Sequence, residues 1–215
     1  MSFLKTTPPS EATGAVRTLY ERQQGGWGFV PNYARPFSHR PEIMSLWADL
    51  QRGIRSHVAP RRFELATLAA ALALRSSYCS LAHGKALLEW YSEAEVRAIV
   101  SGGEAAAEIL TPAEMAMMDY AGKAATRPWQ VTAGEVAGLR HHGFSDAEIF
   151  DIAAVATARA FFSGVVEAVG GEPDSSFLEM DEPLRELLTV GRPIDFRPVE
   201  RLPDADAGTA GCQAA

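Results

Sequence analysis

Residues 61–90, RRFELATLAAALALRSSYCSLAHGKALLEW, have the composition of two apolar helices joined by a break. The first half consists almost entirely of Ala, Leu and Thr, which favours a helix and leaves Glu64 as a lone carboxylate among hydrophobic residues. The step from Arg75 to Ser77 interrupts the apolar run, and a serine hydroxyl there can cap a second helix that begins near Tyr78. The stretch therefore predicts a helical hairpin.

The second helix carries a thiol and a base on one face. Ser76, Cys79 and His83 follow the i, i+3, i+7 spacing, so Cys79 and His83 lie one turn apart. Cys79 falls in the first turn, where the helix dipole and free N–H groups favour a thiolate. The hairpin centre, near residues 73–75, lies about equally far from Glu64 and His83, so the carboxylate can face the imidazole. A thiol, a base and an acid that orients the base form a nucleophile-activating arrangement.

Packing offers an alternative interpretation of the same residues. A lone cysteine on an apolar helix is more often a small core residue than a nucleophile. A lone histidine near it is usually a hydrogen-bonded structural residue. Because Glu64, Cys79 and His83 stand at matching spacings, their combination favours chemistry over packing.

The segment resembles the active-site signature of the alkyl hydroperoxidase D and carboxymuconolactone decarboxylase superfamily. That signature is a glutamate, then roughly eleven residues, then Cys-x-x-Cys-x-x-x-His. Glu64 matches the glutamate, Cys79 the second cysteine and His83 the histidine, while Ser76 stands at the position of the first cysteine. The similarity to a peroxidase-related branch extends over most of residues 25–175, including the segments GFVPN and GFSDAEI.

The resemblance implies a thiol-dependent peroxidase of the peroxiredoxin type that acts on hydrogen peroxide or organic hydroperoxides. It makes Cys79 the peroxide-reactive thiol, with His83 and Glu64 as the proton relay and Ser76 hydrogen-bonded to the sulfur. In the family the first cysteine resolves the second as a disulfide, which Ser76 cannot do. Turnover would therefore need an external thiol or protein reductant, or Cys212. No metal or other cofactor is expected.

Two other functions remain open. A decarboxylase-like enzyme acting on a small lactone or keto acid would use His83 and Glu64 for acid–base chemistry, with the thiol as a bystander. A non-catalytic helical oligomer could have kept the site as a relic. The family's preference for dimers, trimers and hexamers implies a homo-oligomer.

Composition excludes several partners. The 215 residues are 47% hydrophobic, enough for one substantial core. A net charge of −7 without a basic stripe argues against nucleic acid and anionic membrane surfaces. No apolar run approaches the ~20 uncharged residues of a membrane span. The start of the chain lacks an export signal, and two cysteines make no disulfide framework, so a reducing cytoplasm is expected.

The remainder of the chain predicts an all-α fold, since no segment alternates like a strand. A long apolar helix from Asp146 to Val169 is expected to cover the hairpin. Residues 91–100 and 144–153 are similar, a weak internal repeat. We expect one alkyl hydroperoxidase D-like helical bundle over residues 1–191, followed at 192–215 by a surface strap and a disordered tail that carries Cys212. Four helix starts fit the Ser/Thr-x-x-Glu capping box: Ser92 with Glu95, Thr111 with Glu114, Thr132 with Glu135, and Ser145 with Glu148.

Overall fold

The computed structural model describes residues 2–203, which form ten α-helices and four short 3-10 segments and contain no named strand. The prediction of an all-α fold is therefore confirmed. The α-helices are α1 (Gly14–Trp27), α2 (Pro41–Arg55), α3 (Pro60–Ala73), α4 (Ser77–Leu87), α5 (Glu93–Ser101), α6 (Gly103–Ala107), α7 (Pro112–Thr126), α8 (Ala133–His141), α9 (Asp146–Ala168) and α10 (Glu182–Leu188). The 3-10 segments are Pro9–Glu11, Asn32–His39, Pro128–Gln130 and Ser175–Glu179.

Helix α3 lies at the centre of the bundle, packed against α4, α7 and α9. Its Ala and Leu side chains make it apolar on most sides, as expected of a helix surrounded by others. Leu65, Leu68 and Ala70 are fully buried. The predicted covering role of the long helix is confirmed, because α9 packs directly on α3.

The hairpin break is a three-residue change of direction, residues 74–76, between α3 and α4. Arg75 adopts a left-handed φ of 54°, and the Ser76 N–H donates to the Ala71 carbonyl at 3.0 Å. Ser76 is the N-cap of α4, but its hydroxyl makes no capping hydrogen bond. The predicted capping hydrogen bond to a serine hydroxyl is therefore wrong, although α4 begins within one residue of the expected position.

A segment that follows α10 packs against this break. The Gly191 N–H donates to Ser77 Oγ at 2.7 Å. A side chain at position 191 would place a Cβ 2.1 Å from the Arg75 carbonyl oxygen. Only glycine allows the two backbones to approach so closely, so residue 191 fixes the end of α10 to the start of α4.

All four predicted capping boxes are present, at the starts of α5, α7, α8 and α9. In each, the Ser or Thr side chain accepts from the backbone N–H three residues later, and the Glu side chain accepts in return. The internal repeat amounts to similar starts of α5 and α9, because α5 has 9 residues and α9 has 23.

Residues 192–203 run back across the start of the bundle. The Asp195 N–H donates to the Pro173 carbonyl at 2.8 Å, and the Val30 N–H donates to the Glu200 carbonyl at 2.9 Å. The Leu202 N–H donates to Gln24 Oε1 at 2.8 Å. The predicted tail, including Cys212, lies outside the described residues, and the boundary at 191 stays a prediction.

Helix α9 is the one helix within residues 2–203 that is long and apolar enough to cross a membrane, with a mean hydropathy of 1.6 over 18 residues. Half of that stretch is buried inside the bundle. It includes the charged residues Asp151 and Arg159. Since core helices have the same length and composition, this is weak evidence for a membrane span.

Candidate active site

Cys79 lies in the first turn of α4 with only 2% of its surface exposed. Its sulfur faces two donors on α9: Ser163 Oγ at 3.1 Å and Arg159 Nη1 at 3.6 Å. A guanidinium can only donate and is permanently charged, so the sulfur acts as the acceptor. Two hydrogen-bond donors, one of them a cation, therefore converge on the sulfur near the start of α4.

Glu64 and His83 meet across the hairpin. Glu64 Oε2 lies 2.5 Å from His83 Nδ1, and the other carboxylate oxygen lies 3.3 Å from Arg55 Nη2. Glu64 is 4% exposed and comes from the first turns of α3, whereas His83 is on the middle turn of α4. When Glu64 is ionised, Nδ1 must carry the proton, which leaves Nε2 as the acceptor. The pair is therefore arranged as an oriented base.

The charge states of the pair follow from burial and from two arginines. Burial alone would raise the pKa of Glu64, but the hydrogen bond and charge of His83, with Arg55, hold that pKa below its ordinary value. Burial lowers the pKa of His83, and the charge of Arg159 lowers it further, against the opposing effect of Glu64. We therefore assign a neutral imidazole beside an ionised carboxylate at neutral pH, because an imidazolium would share the site with two guanidinium groups.

A pocket of about 690 Å³ connects these groups to the surface. Cys79, His83 and Glu64 all line it, and so do Arg52, Arg55 and Arg159. Its volume falls in the range of about 300–1,000 Å³ that is typical of small-molecule sites. Six of the other lining residues are aromatic: Trp27, Tyr33, Trp47, Phe63, Tyr78 and Phe162.

A buried network holds the wall of the pocket next to Cys79. Asp174 accepts from the Tyr78 hydroxyl and, at 2.9 Å, from the Asn32 N–H. Burial raises the pKa of Asp174 to about 6, although both of these hydrogen bonds act to lower it. The Tyr33 ring packs edge-on against Tyr78 at 5.2 Å between centroids. The GFVPN segment, which contains Asn32, is thus tied directly to the helix that carries the thiol.

Ser76 does not contact the sulfur. It is fully buried, and its hydroxyl has no hydrogen-bond partner of good geometry within residues 2–203, although the Glu167 carboxyl lies close by. The hydrogen bond to the sulfur that was expected from Ser76 comes from Ser163 instead. Ser76 does not line the pocket and its hydroxyl lies near the Glu167 carboxyl, whereas Ser163 approaches the sulfur from the facing helix α9.

Sequence reasoning missed Arg159 and Ser163. Arg159 is the one charged residue in the apolar stretch 152–166, just as Glu64 is the one charged residue in the apolar stretch 63–74. Ser163 is four residues further on, so the two share one face. The isolated arginine was a signal of the same kind as the isolated glutamate.

No family model matches the sequence, and no curated protein is significantly similar to it. Solved structures do resemble the fold. The alkylhydroperoxidase AhpD core of an uncharacterised peroxidase-related protein from Ralstonia eutropha JMP134 has a TM-score of 0.71 at 22% identity, covering 83% of this chain and 95% of that chain. An uncharacterised peroxidase-related protein from Silicibacter sp. TM1040 has a TM-score of 0.69 at 19% identity, with the same coverages of 83% and 95%.

A cysteine-to-alanine variant of the debrominase Bmp8, in complex with 2,3,4-tribromopyrrole, is also similar. Its TM-score is 0.65 at 15% identity, covering 87% of this chain and 98% of that chain. At these identities the likeness establishes the fold. The chain has the alkyl hydroperoxidase D-like fold, and that prediction from the sequence is confirmed.

Proposed function

We propose that this protein is a thiol-dependent peroxidase that reduces hydrogen peroxide or organic hydroperoxides through Cys79. The observation that carries the proposal is the sulfur itself, which accepts from Ser163 and Arg159 in the same pocket as the Glu64–His83 pair. A structural core cysteine would need neither a cation nor a base beside it. The fold of the peroxidase-related neighbours supports the same reaction class.

The reaction begins with transfer of the thiol proton from Cys79 to His83 Nε2, while Glu64 stabilises the imidazolium. The thiolate attacks the terminal oxygen of the hydroperoxide, so that an S–O bond forms as the O–O bond breaks. The leaving alkoxide then takes the proton from His83. Cys79 becomes a sulfenic acid, and the hydroperoxide becomes an alcohol.

Regeneration uses an external thiol or protein reductant. One thiol displaces water from the sulfenic acid to form a mixed disulfide, and a second releases Cys79 as the reductant becomes a disulfide. Ser76 cannot form a local disulfide, and Cys212 would be the alternative resolving thiol. We further propose a homo-oligomer in a reducing cytoplasm, as the family resemblance implies.

A second candidate function is removal of halogen from a small aromatic compound. It is favoured by the similarity to a debrominase and by the aromatic wall of the pocket. Bromide release from 2,3,4-tribromopyrrole by wild type, and not by Cys79→Ser, would support it. Bromide release without any peroxide reduction would replace the first proposal with the second.

The test of the peroxidase proposal is stopped-flow peroxide consumption with a dithiol as the electron donor. Cys79→Ser should lower the rate constant by about a thousandfold or more, as expected when a nucleophile is removed. Circular dichroism should show that the variant keeps its helices. Equal rates for wild type and Cys79→Ser would contradict the proposal, and peroxide-independent activity on a lactone or keto acid that survives Cys79→Ser would favour acid–base chemistry by Glu64 and His83.

A further inference from the structure

We infer that the pocket beside Cys79 binds an organic molecule that carries a carboxylate, with Arg159 as the anion-binding residue. The inference names the substrate class of the proposed peroxidase and rests on that function for the reaction. The argument for the binding site depends on Arg159, which has no carboxylate partner within residues 2–203. That argument holds whether or not Cys79 reacts with peroxide.

Arg159 is a buried cation without an ion-pair partner in the described part of the chain. It is 6% exposed, and its only hydrogen bond to another residue of the range 2–203 is the one from Nη1 to the Cys79 sulfur. Nε is buried with no acceptor. The guanidinium otherwise lies against the faces of Trp47 and Phe162, at 5.7 and 5.3 Å from their centroids. Burying a charge in this way is costly unless an anion completes its hydrogen bonds.

The other ionisable groups of the pocket leave its charge positive. Glu64 is the one carboxylate among the lining residues, and it is already engaged by His83 and Arg55. Arg52 pairs with Asp49 at 2.7 Å, where both side chains are well exposed and the pair is weak. The protein as a whole has a net charge of −7, so the positive charge of the pocket is opposite in sign to that of the average surface. An anionic ligand would be attracted to this pocket in preference to the rest of the surface.

The volume of the pocket and its lining residues indicate the size and the apolar character of the rest of the ligand. Hydrogen peroxide needs roughly twice the ~30 Å³ of a water molecule, far less than the pocket provides. Trp47, Phe162 and Phe63 offer apolar faces for an aromatic or branched aliphatic body. Because Arg159 Nη1 lies 3.6 Å from the sulfur, a carboxylate on the free edge of the guanidinium would keep the body of the ligand beside Cys79.

Binding can be tested without any reaction. Cys79→Ala removes the sulfur and leaves Arg159 without its acceptor. We expect 4-isopropylbenzoate to quench the fluorescence of Trp27 and Trp47 in this variant and to bind about tenfold or more tightly than the neutral 4-isopropylbenzamide, the difference expected for a charge-assisted hydrogen bond. Equal affinities for the acid and the amide would overturn the inference, and no substitution of Arg159 is needed for this outcome.

Kinetics test the same site during turnover. Wild type should reduce the 4-carboxylate of cumene hydroperoxide about tenfold or more faster, in kcat/KM, than the matched 4-carboxamide. Arg159→Gln should bring this ratio close to one, and Arg159→Lys should restore part of it. Arg140→Gln should leave it unchanged, since Arg140 pairs with Asp146 at 2.6 Å and does not line the pocket. The same ratio in wild type and Arg159→Gln would show that Arg159 serves the sulfur alone.

Failure of this inference and failure of the proposed function give different results. Peroxide reduction without a preference for the carboxylate would leave the peroxidase in place and overturn the anion site. Carboxylate binding to Cys79→Ala, without peroxide reduction by wild type, would leave the anion site in place and overturn the peroxidase.

Discussion

Helix α3 borders two concave regions that differ in what they bury. Near its start, Phe63 and Glu64 line the pocket of about 690 Å³ around Cys79. Near its end, Ala69 and Leu72 line a larger groove of about 900 Å³ formed with α7 and α8. The groove holds Lys123 and Glu135, but they pair with each other at 2.6 Å and are partly exposed to solvent. The proposed chemistry belongs to the smaller region, not to the larger one.

Unsatisfied buried charge is therefore a better indicator of a site than volume is. A paired, solvated Lys and Glu contribute little and require no ligand. A buried guanidinium beside an uncharged thiol costs folding free energy unless an anion completes its hydrogen bonds, so Arg159 supports the proposed site.

The largest effect after loss of Cys79 itself should come from the Glu64–His83 pair. His83→Gln removes the base and should lower the rate of Cys79 oxidation by roughly 10²–10⁴-fold, the usual contribution of general acid–base catalysis. Glu64→Gln should have an effect of similar direction, because it removes the charge that orients and supports the imidazole. The double variant should be little worse than the poorer single variant, since residues that act as one unit are non-additive.

The groove offers a matched control for this experiment. Glu135→Gln also removes a carboxylate beside a cation, and glutamine still fits the capping box at the start of α8. Peroxide consumption should be unchanged. Fully additive losses from Glu64 and His83, or an equal loss from Glu135→Gln, would remove the distinction between the two regions.

The buried Asp174 carboxyl should make the free energy of unfolding depend on pH. Its folded-state pKa of about 6 lies above the ordinary value of 3.8, so the folded state holds this proton more tightly than the unfolded state. The resulting stability is fully present below about pH 4 and is lost as the pH rises to 6, by about 2–3 kcal/mol. Urea unfolding should show this loss in wild type and not in Asp174→Asn, whose amide can still accept from the Asn32 N–H. An identical pH profile in both would contradict the assignment.

Alanine substitutions at two glycines test how tightly the protein is packed, one at the contact between α4 and α10 and one in the groove. A Cβ on Gly84 in α4 would lie 2.5 Å from Leu188 Cδ1, whereas a Cβ on Gly138 in α8 would meet nothing within 4 Å. Gly84→Ala should destabilise the fold by about 1–3 kcal/mol through overpacking. Gly138→Ala should stabilise it by about 0.5–1 kcal/mol, because alanine favours a helix. Thermal unfolding measures both, and destabilisation by Gly138→Ala as well would show that the groove is as tightly packed as the contact between α4 and α10.

The smallest effect distinguishes two serines near the thiol. Ser163→Ala removes a hydrogen bond to the sulfur and should slow Cys79 alkylation by iodoacetamide about threefold to tenfold, equivalent to roughly 1 kcal/mol. Ser76→Ala should leave that rate unchanged, because the Ser76 hydroxyl does not contact the sulfur. Slower alkylation of Ser76→Ala, with no change in Ser163→Ala, would support the hydrogen bond from Ser76 to the sulfur that was expected from the sequence.

Local spacing in the sequence was sufficient to predict the hairpin and the Glu64–His83 contact. Both residues lie in the same helical hairpin, so the helix periodicity and the position of the break together fix where they lie relative to each other. The four capping boxes could be predicted for the same reason, since each depends on residues only three positions apart.

The donors to the sulfur could not be predicted in this way. Arg159 and Ser163 are about 80 residues from Cys79 along the chain, and periodicity carries no information about which face of α9 meets α4. The same limit explains the error at Ser76. Spacing places Ser76 on the face of Cys79, but Ser76 is the N-cap residue with an extended backbone, so helical spacing does not describe its side chain.

The most direct test of peroxide chemistry at the buried sulfur is to trap its first product. Wild type treated with one equivalent of cumene hydroperoxide in the presence of dimedone should give a sulfenic-acid adduct on Cys79 in peptide mass spectrometry. The adduct should be strongly reduced in His83→Gln and unchanged in Glu135→Gln. Consumption of peroxide with the adduct on Cys212 alone, or with no adduct on Cys79, would contradict the assignment of Cys79 as the reactive thiol.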